Sequence, residues 1–199
     1  MKTIRSDNMW IRLGTMWAAG FMILLLAWIF SFRVLPEGVA QGSSGVYYVP
    51  IMAENATETF VRIFLWDLCV GCIPIVIGNF VRVKGVPLGY VLAFYHWGMY
   101  GVLLGTNSFV IPGPARFVPS LTTLFYGSGI YEISSYTLVS SATFHLYNQY
   151  GDSAGVRVSV RKHRWSAPSL SKTELAVIPF AILILAISNY YEAWHIFHL

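Results

Sequence analysis

Long apolar runs separated by short polar stretches organise this chain. Five such runs lie at about 15–32, 60–80, 88–110, 121–146 and 175–196. Each approaches or exceeds the roughly 20 residues that a helix needs to cross the hydrocarbon core of a bilayer. Lipid offers the backbone no hydrogen-bond partner, so each run is expected to be a helix. Asp67 and Pro74 interrupt the second run, and Gly, Ser and Thr are scattered through the fourth. The pattern predicts an all-α, polytopic membrane bundle of five transmembrane helices, with residues 1–199 forming a single integral membrane domain.

Composition points the same way. Apolar residues make up 56% of the 199 and charged residues only 11%, about half the usual charged share. A water-soluble domain with so little charge would expose large apolar patches. The net charge of +4 does not suggest nucleic acid, because the basic residues sit in short loops between the apolar runs. Those loops set orientation instead. With the N-terminus inside, the inner segments 1–14, 81–87 and 147–174 hold Lys2, Arg5, Arg12, Arg82, Lys84, Arg157, Arg161, Lys162, Arg164 and Lys172, ten of the thirteen Lys and Arg. The outer segments hold Arg33 and Arg116, with Arg62 near the outer end of the second span. This bias predicts an inside N-terminus and an outside C-terminus. Tyr47, Tyr48, Tyr190, Tyr191 and Trp194 then fall at the outer interface. Gly38-Val39-Ala40 has the form of a signal-peptide cleavage site, but the preceding apolar run is longer than a usual signal core, so the first span is expected to stay.

Ionisable groups at membrane depth face a protein interior, a partner or water. Arg62 and Asp67 lie on the second span, His96 on the third, Glu132 and His145 on the fourth, and Glu192 near the end of the fifth. Arg62 and Asp67 are about 140° apart around a helix and make poor partners, so the acids are expected to find partners on other helices. The two readings are structural glue that fixes helix register and a transport path. Small residues favour close packing: Gly98, Gly101 and Gly105 on the third span, and Gly127, Ser128, Gly129, Ser134, Ser135, Ser140 and Ser141 on the fourth. The third and fourth spans are therefore expected to form the centre of the bundle.

Other motifs carry less. Cys69-Val70-Gly71-Cys72 has redox or zinc spacing, but within a membrane helix it reads as two buried thiols. Glu192, His195 and His198 form one part of a di-iron pattern without the further carboxylates such a site needs, so no metal is expected. His96 and His145 could ligate haem or pigment, though hydrogen-bonded histidines are the simpler reading, and no cofactor is expected. Asn55-Ala56-Thr57 is a glycosylation sequon, of use only in a eukaryotic secretory setting. The basic loop at 157–172 reads as an orientation signal, with anionic lipid head groups or a cytoplasmic partner as the functional alternative.

From the second span onward the order of features resembles the stage II sporulation protein M family of bacterial and archaeal membrane proteins. Gly98 and Gly101, Gly129-Ile130-Tyr131-Glu132-Ile133, and Glu192-Ala193 carry the likeness. The family's Asn pair reads Trp66-Asp67 here, its Asn before the third-span glycine is Trp97, and its His before Gly129 is Ser128. The resemblance implies a five-helix component of a prokaryotic cytoplasmic membrane that works beside other proteins. No nucleophile–base pair or phosphate loop is visible, so the expectation is a non-catalytic subunit that scaffolds or assembles a membrane complex with other integral membrane subunits and lipids. The alternatives are a permease or channel component using Arg62, Asp67 and Glu132, and a pigment- or haem-holding subunit.

Overall fold

The computed structural model describes residues 3–41, 53–83, 85–109, 113, 115–146 and 170–198. The expectations about Tyr47, Tyr48 and residues 157–169 of the basic loop lie outside the described residues. Among the described residues the fold is helical apart from one short hairpin. In order, the helices are α1 (Met9–Val34), α2 (Ala56–Trp66), a π-helical segment (Asp67–Cys72), α3 (Ile73–Gly78), α4 (Leu88–Thr106), α5 (Leu121–Tyr126), α6 (Gly129–Ala142) and α7 (Lys172–His198). Strands β1 (Arg82–Val83) and β2 (Val86–Pro87) pair antiparallel between α3 and α4, turning through Gly85 at φ +77°. A residue with a side chain rarely adopts that backbone.

Local chemistry explains the boundaries. Asn8 caps α1 by accepting from the backbone N–H of Trp10 and Ile11, and Asn55 caps α2 by accepting from that of Glu58, satisfying donors that a helix start leaves open. Leu35 precedes Pro36 and turns extended, as the proline ring demands of its predecessor. Asn107 ends α4 at φ 51°, the left-handed conformation of many helix ends.

Among the described residues, three units are long and apolar enough to cross a membrane: α1, the continuous stretch from Ala56 to Gly78, and α7. Their outward faces carry exposed large apolar side chains, among them Leu26 and Phe30 on α1, Leu65 and Ile77 on the second unit, and Leu183 and Ile187 on α7. This surface suits lipid and not water. The buried positions of α1 (Met9, Arg12, Met16, Gly20, Leu24, Trp28, Ser31) recur every three or four residues, as a helix with one face turned inward requires.

The fourth expected span is not one helix. It breaks at Gly127, whose backbone is extended. The Gly127-Ser128-Gly129 run has low helix propensity, and the Ser128 carbonyl accepts a hydrogen bond from the Ser188 hydroxyl of α7. What remains is a six-residue α5 and a fourteen-residue α6. At 1.5 Å per residue α6 is about 21 Å long, short of a bilayer core of roughly 30 Å. The expected centre also shifts. The most extensive helix pairing is α1 with α4, not α4 with α6.

Glycine explains that pairing. A Cβ on Gly101 would lie 2.5 Å from the Leu24 carbonyl oxygen, and one on Gly105 would collide with Ser31 Oγ and lie 2.8 Å from Phe32 N and Trp28 O. Gly20 of α1, which was not among the expected packing residues, lies under the buried Trp97, 2.6 Å from where a Cβ would stand. The Trp97 indole donates to Thr137 Oγ1 of α6 at 2.8 Å, and Trp17 donates to Ser134 Oγ at 3.0 Å. Gly98 differs: its Cβ position has only Ile23 Cγ2 at 3.5 Å, so this expected packing glycine is not required for close approach. Gly129 has no room for a Cβ beneath the Tyr100 ring, whereas Gly127 has Tyr100 Oη at 3.2 Å.

Ala substitutions separate these roles. Gly105→Ala forces backbone and Ser31 apart and should destabilise the bundle by about 1–3 kcal/mol. Gly98→Ala fits, and should be neutral or stabilising by up to about 1 kcal/mol. Thermal unfolding in detergent, followed by helical circular dichroism, measures both; equal melting temperatures would contradict the tight α1–α4 seam.

Candidate functional site

Pro74 lacks an N–H, and its ring crowds the carbonyl four residues earlier. The chain accommodates it by widening at Asp67–Cys72, where the Ile73 N–H donates to the Leu68 carbonyl five residues back. This π segment carries Asp67 inward, buried at 7% exposure. Asn189 Nδ2 of α7 donates to Asp67 Oδ2 at 2.8 Å, and the Tyr136 side chain of α6 packs against the same helical segment. Gly71, one turn on, leaves room for the Tyr136 ring, which comes within 2.5 Å of where its Cβ would stand.

Two further acids meet beside Asp67. Glu132, in the first turn of α6, and Glu192 of α7 lie close enough to Asp67 and to each other to interact electrostatically. Ser128 Oγ donates to Glu192 Oε2 at 3.3 Å. The three acids thus come from three separate helical units. A cavity of about 80 Å³ adjoins Asp67 and Glu132, lined by Trp66, Asp67, Val70 and Gly71 from the second unit, Tyr95, His96, Met99, Tyr100 and Leu103 from α4, and Glu132, Ile133 and Tyr136 from α6. Val70 and Tyr95 on its rim are exposed. Inside, Trp66 Nε1 and Glu132 Oε1 are enclosed with no conventional donor–acceptor partner. The space holds a few water molecules; small-molecule pockets are several times larger, from roughly 300 Å³ upward.

The remaining expected residues separate from this cluster. Arg62 stands apart, paired with Glu58 one turn away, so the proposed grouping of Arg62 with Asp67 and Glu132 does not form. His96 lines the cavity with its ring 4.7 Å from that of Tyr136. His145 lies not in a span but in a 3-10 turn, Phe144–Leu146, beyond α6. Glu192 turns inward, while His195 packs on Tyr191 at 4.3 Å and His198 bonds the Trp194 carbonyl, so the C-terminal motif does not converge. Among the described residues no group of three or more His, Cys, Asp or Glu is placed to hold a metal ion. Cys72 is buried but Cys69 is exposed, and both are free thiols; the pair of buried thiols is corrected to one, because the helix turns Cys69 to the outer surface.

A second polar assembly closes the N-terminal end of α1. Arg12, expected in a solvated flank, is fully buried. Its guanidinium donates to Glu174 Oε1 at 2.5 Å and to the carbonyls of Ser6, Asp7 and Ser141. His145 Nδ1 shares the same Glu174 oxygen at 2.7 Å. Arg12 and Arg82 both lie against the Phe144 ring, 4.6 and 4.4 Å from its centroid. At the opposite end Arg116 donates to the Ser31, Leu35 and Gly105 carbonyls at 2.8–2.9 Å, placing a cation at the carbonyl ends of α1 and α4, where the helix dipoles favour it.

Position along the chain gave no sign that Arg12 and Glu174 would meet, since flanking charges ordinarily face water. Asn189 did carry a signal, as a lone amide within an apolar run, but its partner depends on how α7 packs. No protein-family model, curated protein or solved structure matches this chain.

The buried ion pair generates a prediction. Arg12→Met and Glu174→Leu should each destabilise the protein by about 3–5 kcal/mol, because each leaves the other charge buried without its partner. The double variant should cost clearly less than the sum. Chemical unfolding of all four proteins measures the coupling, and strict additivity would dismiss the pair.

Proposed function

We propose that this chain is a non-catalytic integral membrane subunit that scaffolds or assembles a larger membrane complex. The observation that carries the reading is that Asp67, the deepest acid of the second unit, is given to Asn189 on another helix. The same use of polar side chains recurs in Trp97–Thr137, Trp17–Ser134 and Ser188–Ser128. Such groups knit helices together and fix their register. The likeness of the Gly129–Glu132 motif to the stage II sporulation protein M family favours the same reading, with other integral membrane proteins as partners and a prokaryotic cytoplasmic membrane as the setting. Residues 157–172 then supply a basic loop for anionic lipid head groups.

The arrangement we propose for this role is five crossings, the short α5–α6 region completing the fourth, with the N-terminus inside and the C-terminus outside. The loop charges support it. Reporter fusions after Arg82 and Lys162 should register the cytoplasm and a fusion at the C-terminus the outside; a cytoplasmic C-terminus removes the five-span arrangement.

A permease or channel component is the second reading, favoured by the meeting of Asp67 and Glu132 at a cavity. One variant discriminates. Asp67→Asn keeps the shape and a hydrogen bond to its neighbours, so the scaffold reading expects co-purifying partners to be recovered at the wild-type level and no change in ion movement. Affinity purification with mass spectrometry, paired with flux into reconstituted vesicles, measures both. Flux lost while assembly is intact would establish the conduit instead.

A further inference from the structure

We propose that the cavity beside Glu132 is a docking point within the membrane for a Lys side chain on a transmembrane helix of a partner subunit. The inference rests on the assembly reading above and names the chemistry of that partner. Glu132 lines the cavity, and its Oε1 is enclosed with no conventional donor. Neither Lys nor Arg lines the cavity, Arg62 is held by Glu58, and the His96 ring packs on that of Tyr136. Asp67, the other acid of the lining, already accepts from Asn189. An acid at membrane depth without a partner is costly, and a cation brought by a second protein removes that cost.

The position of the opening suits a neighbouring helix. Asp67 is the middle residue of the Ala56–Gly78 unit, so the cavity lies near half the depth of that span, away from bulk water. Its rim residues Val70 and Tyr95 are 37% and 54% exposed. Ile73 and Ile77 continue the Val70 face along the second unit, and Val91 lies one turn from Tyr95 on α4; all three are exposed. Gly78 and Gly89 hold these two helices together, since a Cβ on Gly78 would lie 2.8 Å from Gly89 N. A partner helix therefore meets two neighbouring apolar ridges and an opening that leads to an acid.

Size and lining select Lys among the cations. At about 80 Å³ the space takes a compact ammonium and the end of its stem, whereas a planar guanidinium carries five donors and needs several acceptors. The four-carbon stem of Lys reaches in from a helix packed outside, with its methylenes on apolar surface. The Trp66, Tyr100 and Tyr136 rings line the same space, and aromatic faces attract a cation. Charge complementarity names the occupant. Water leaves the acid without a counter-charge, and a lipid tail leaves it without a donor.

The test uses a synthetic transmembrane helix as the probe. It is a dansyl-labelled, leucine-rich peptide of about 20 residues, free of tryptophan, with one Lys at its centre; the control has Leu there. Energy transfer from the tryptophans of the full-length protein in lipid vesicles reports association. The Lys peptide should half-saturate at a peptide-to-lipid ratio about tenfold lower than the Leu peptide, the scale of an interhelical polar contact. That preference should vanish in Glu132→Gln and persist in Asp67→Asn. Val70→Trp, which narrows the opening from an exposed position, should remove it without touching an acid. Equal binding of both peptides by the wild type overturns the proposal, as does a preference that survives Glu132→Gln or Val70→Trp, or that is lost in Asp67→Asn alone. Circular dichroism checks the folding of each variant; should Glu132→Gln fail to fold, the wild type and Val70→Trp decide. If partners co-purify with the wild type while the Lys peptide gains nothing, this inference falls and the assembly reading stands; absence of any co-purifying partner removes that reading itself.

Discussion

Hydrocarbon supplies no hydrogen bonds, so a polar side chain on a membrane helix must find its partner on another part of the protein. In this chain that demand is met helix by helix. Asp67 is answered by Asn189, Trp97 by Thr137, Trp17 by Ser134, and the Ser128 carbonyl by Ser188. Each pair joins elements far apart in sequence, so together they fix which helices are neighbours and in what rotation. Van der Waals packing alone specifies this weakly between helices of similar apolar surface.

Close approach makes those bonds reachable. Gly20, Gly101 and Gly105 bring α1 against α4 at backbone distance, and the Trp97 indole, lodged over Gly20, then reaches α6. The ends of the bundle use charge in place of small residues. Arg12 gathers carbonyls and the Glu174 carboxylate at one end, and Arg116 gathers the final carbonyls of α1 and α4 at the other. Arg suits both tasks because its planar fork satisfies several oxygens at once.

Glu132 stands outside this economy of one donor for each acceptor, with its Oε1 enclosed and unpartnered. Asp67 and Glu132, from two helical units, share a small cavity with neither Lys nor Arg in its lining. The π segment belongs to the same logic. Pro74 obliges the helix to widen, and the widening turns Asp67 inward beside a glycine that admits Tyr136. Helical distortions of this kind are frequent at functional positions.

Much of this was legible along the chain. The apolar runs mark the helices, with α1 and α7 close to their expected limits, because burial in lipid is a property of local composition. Asp67, Glu132 and Glu192 stand out for the same reason: an acid within an apolar run has no cheap explanation. Three things required the tertiary structure. The extended backbone at Gly127 that splits the fourth run is seen only in the fold, and the primacy of α1–α4 depends on which surface each glycine faces. The burial of Arg12 depends on Glu174 arriving from 162 residues away. Composition records what a residue can bond, but the geometry of neighbouring helices decides which bond is made, and a flanking charge reads as solvated until another chain segment covers it.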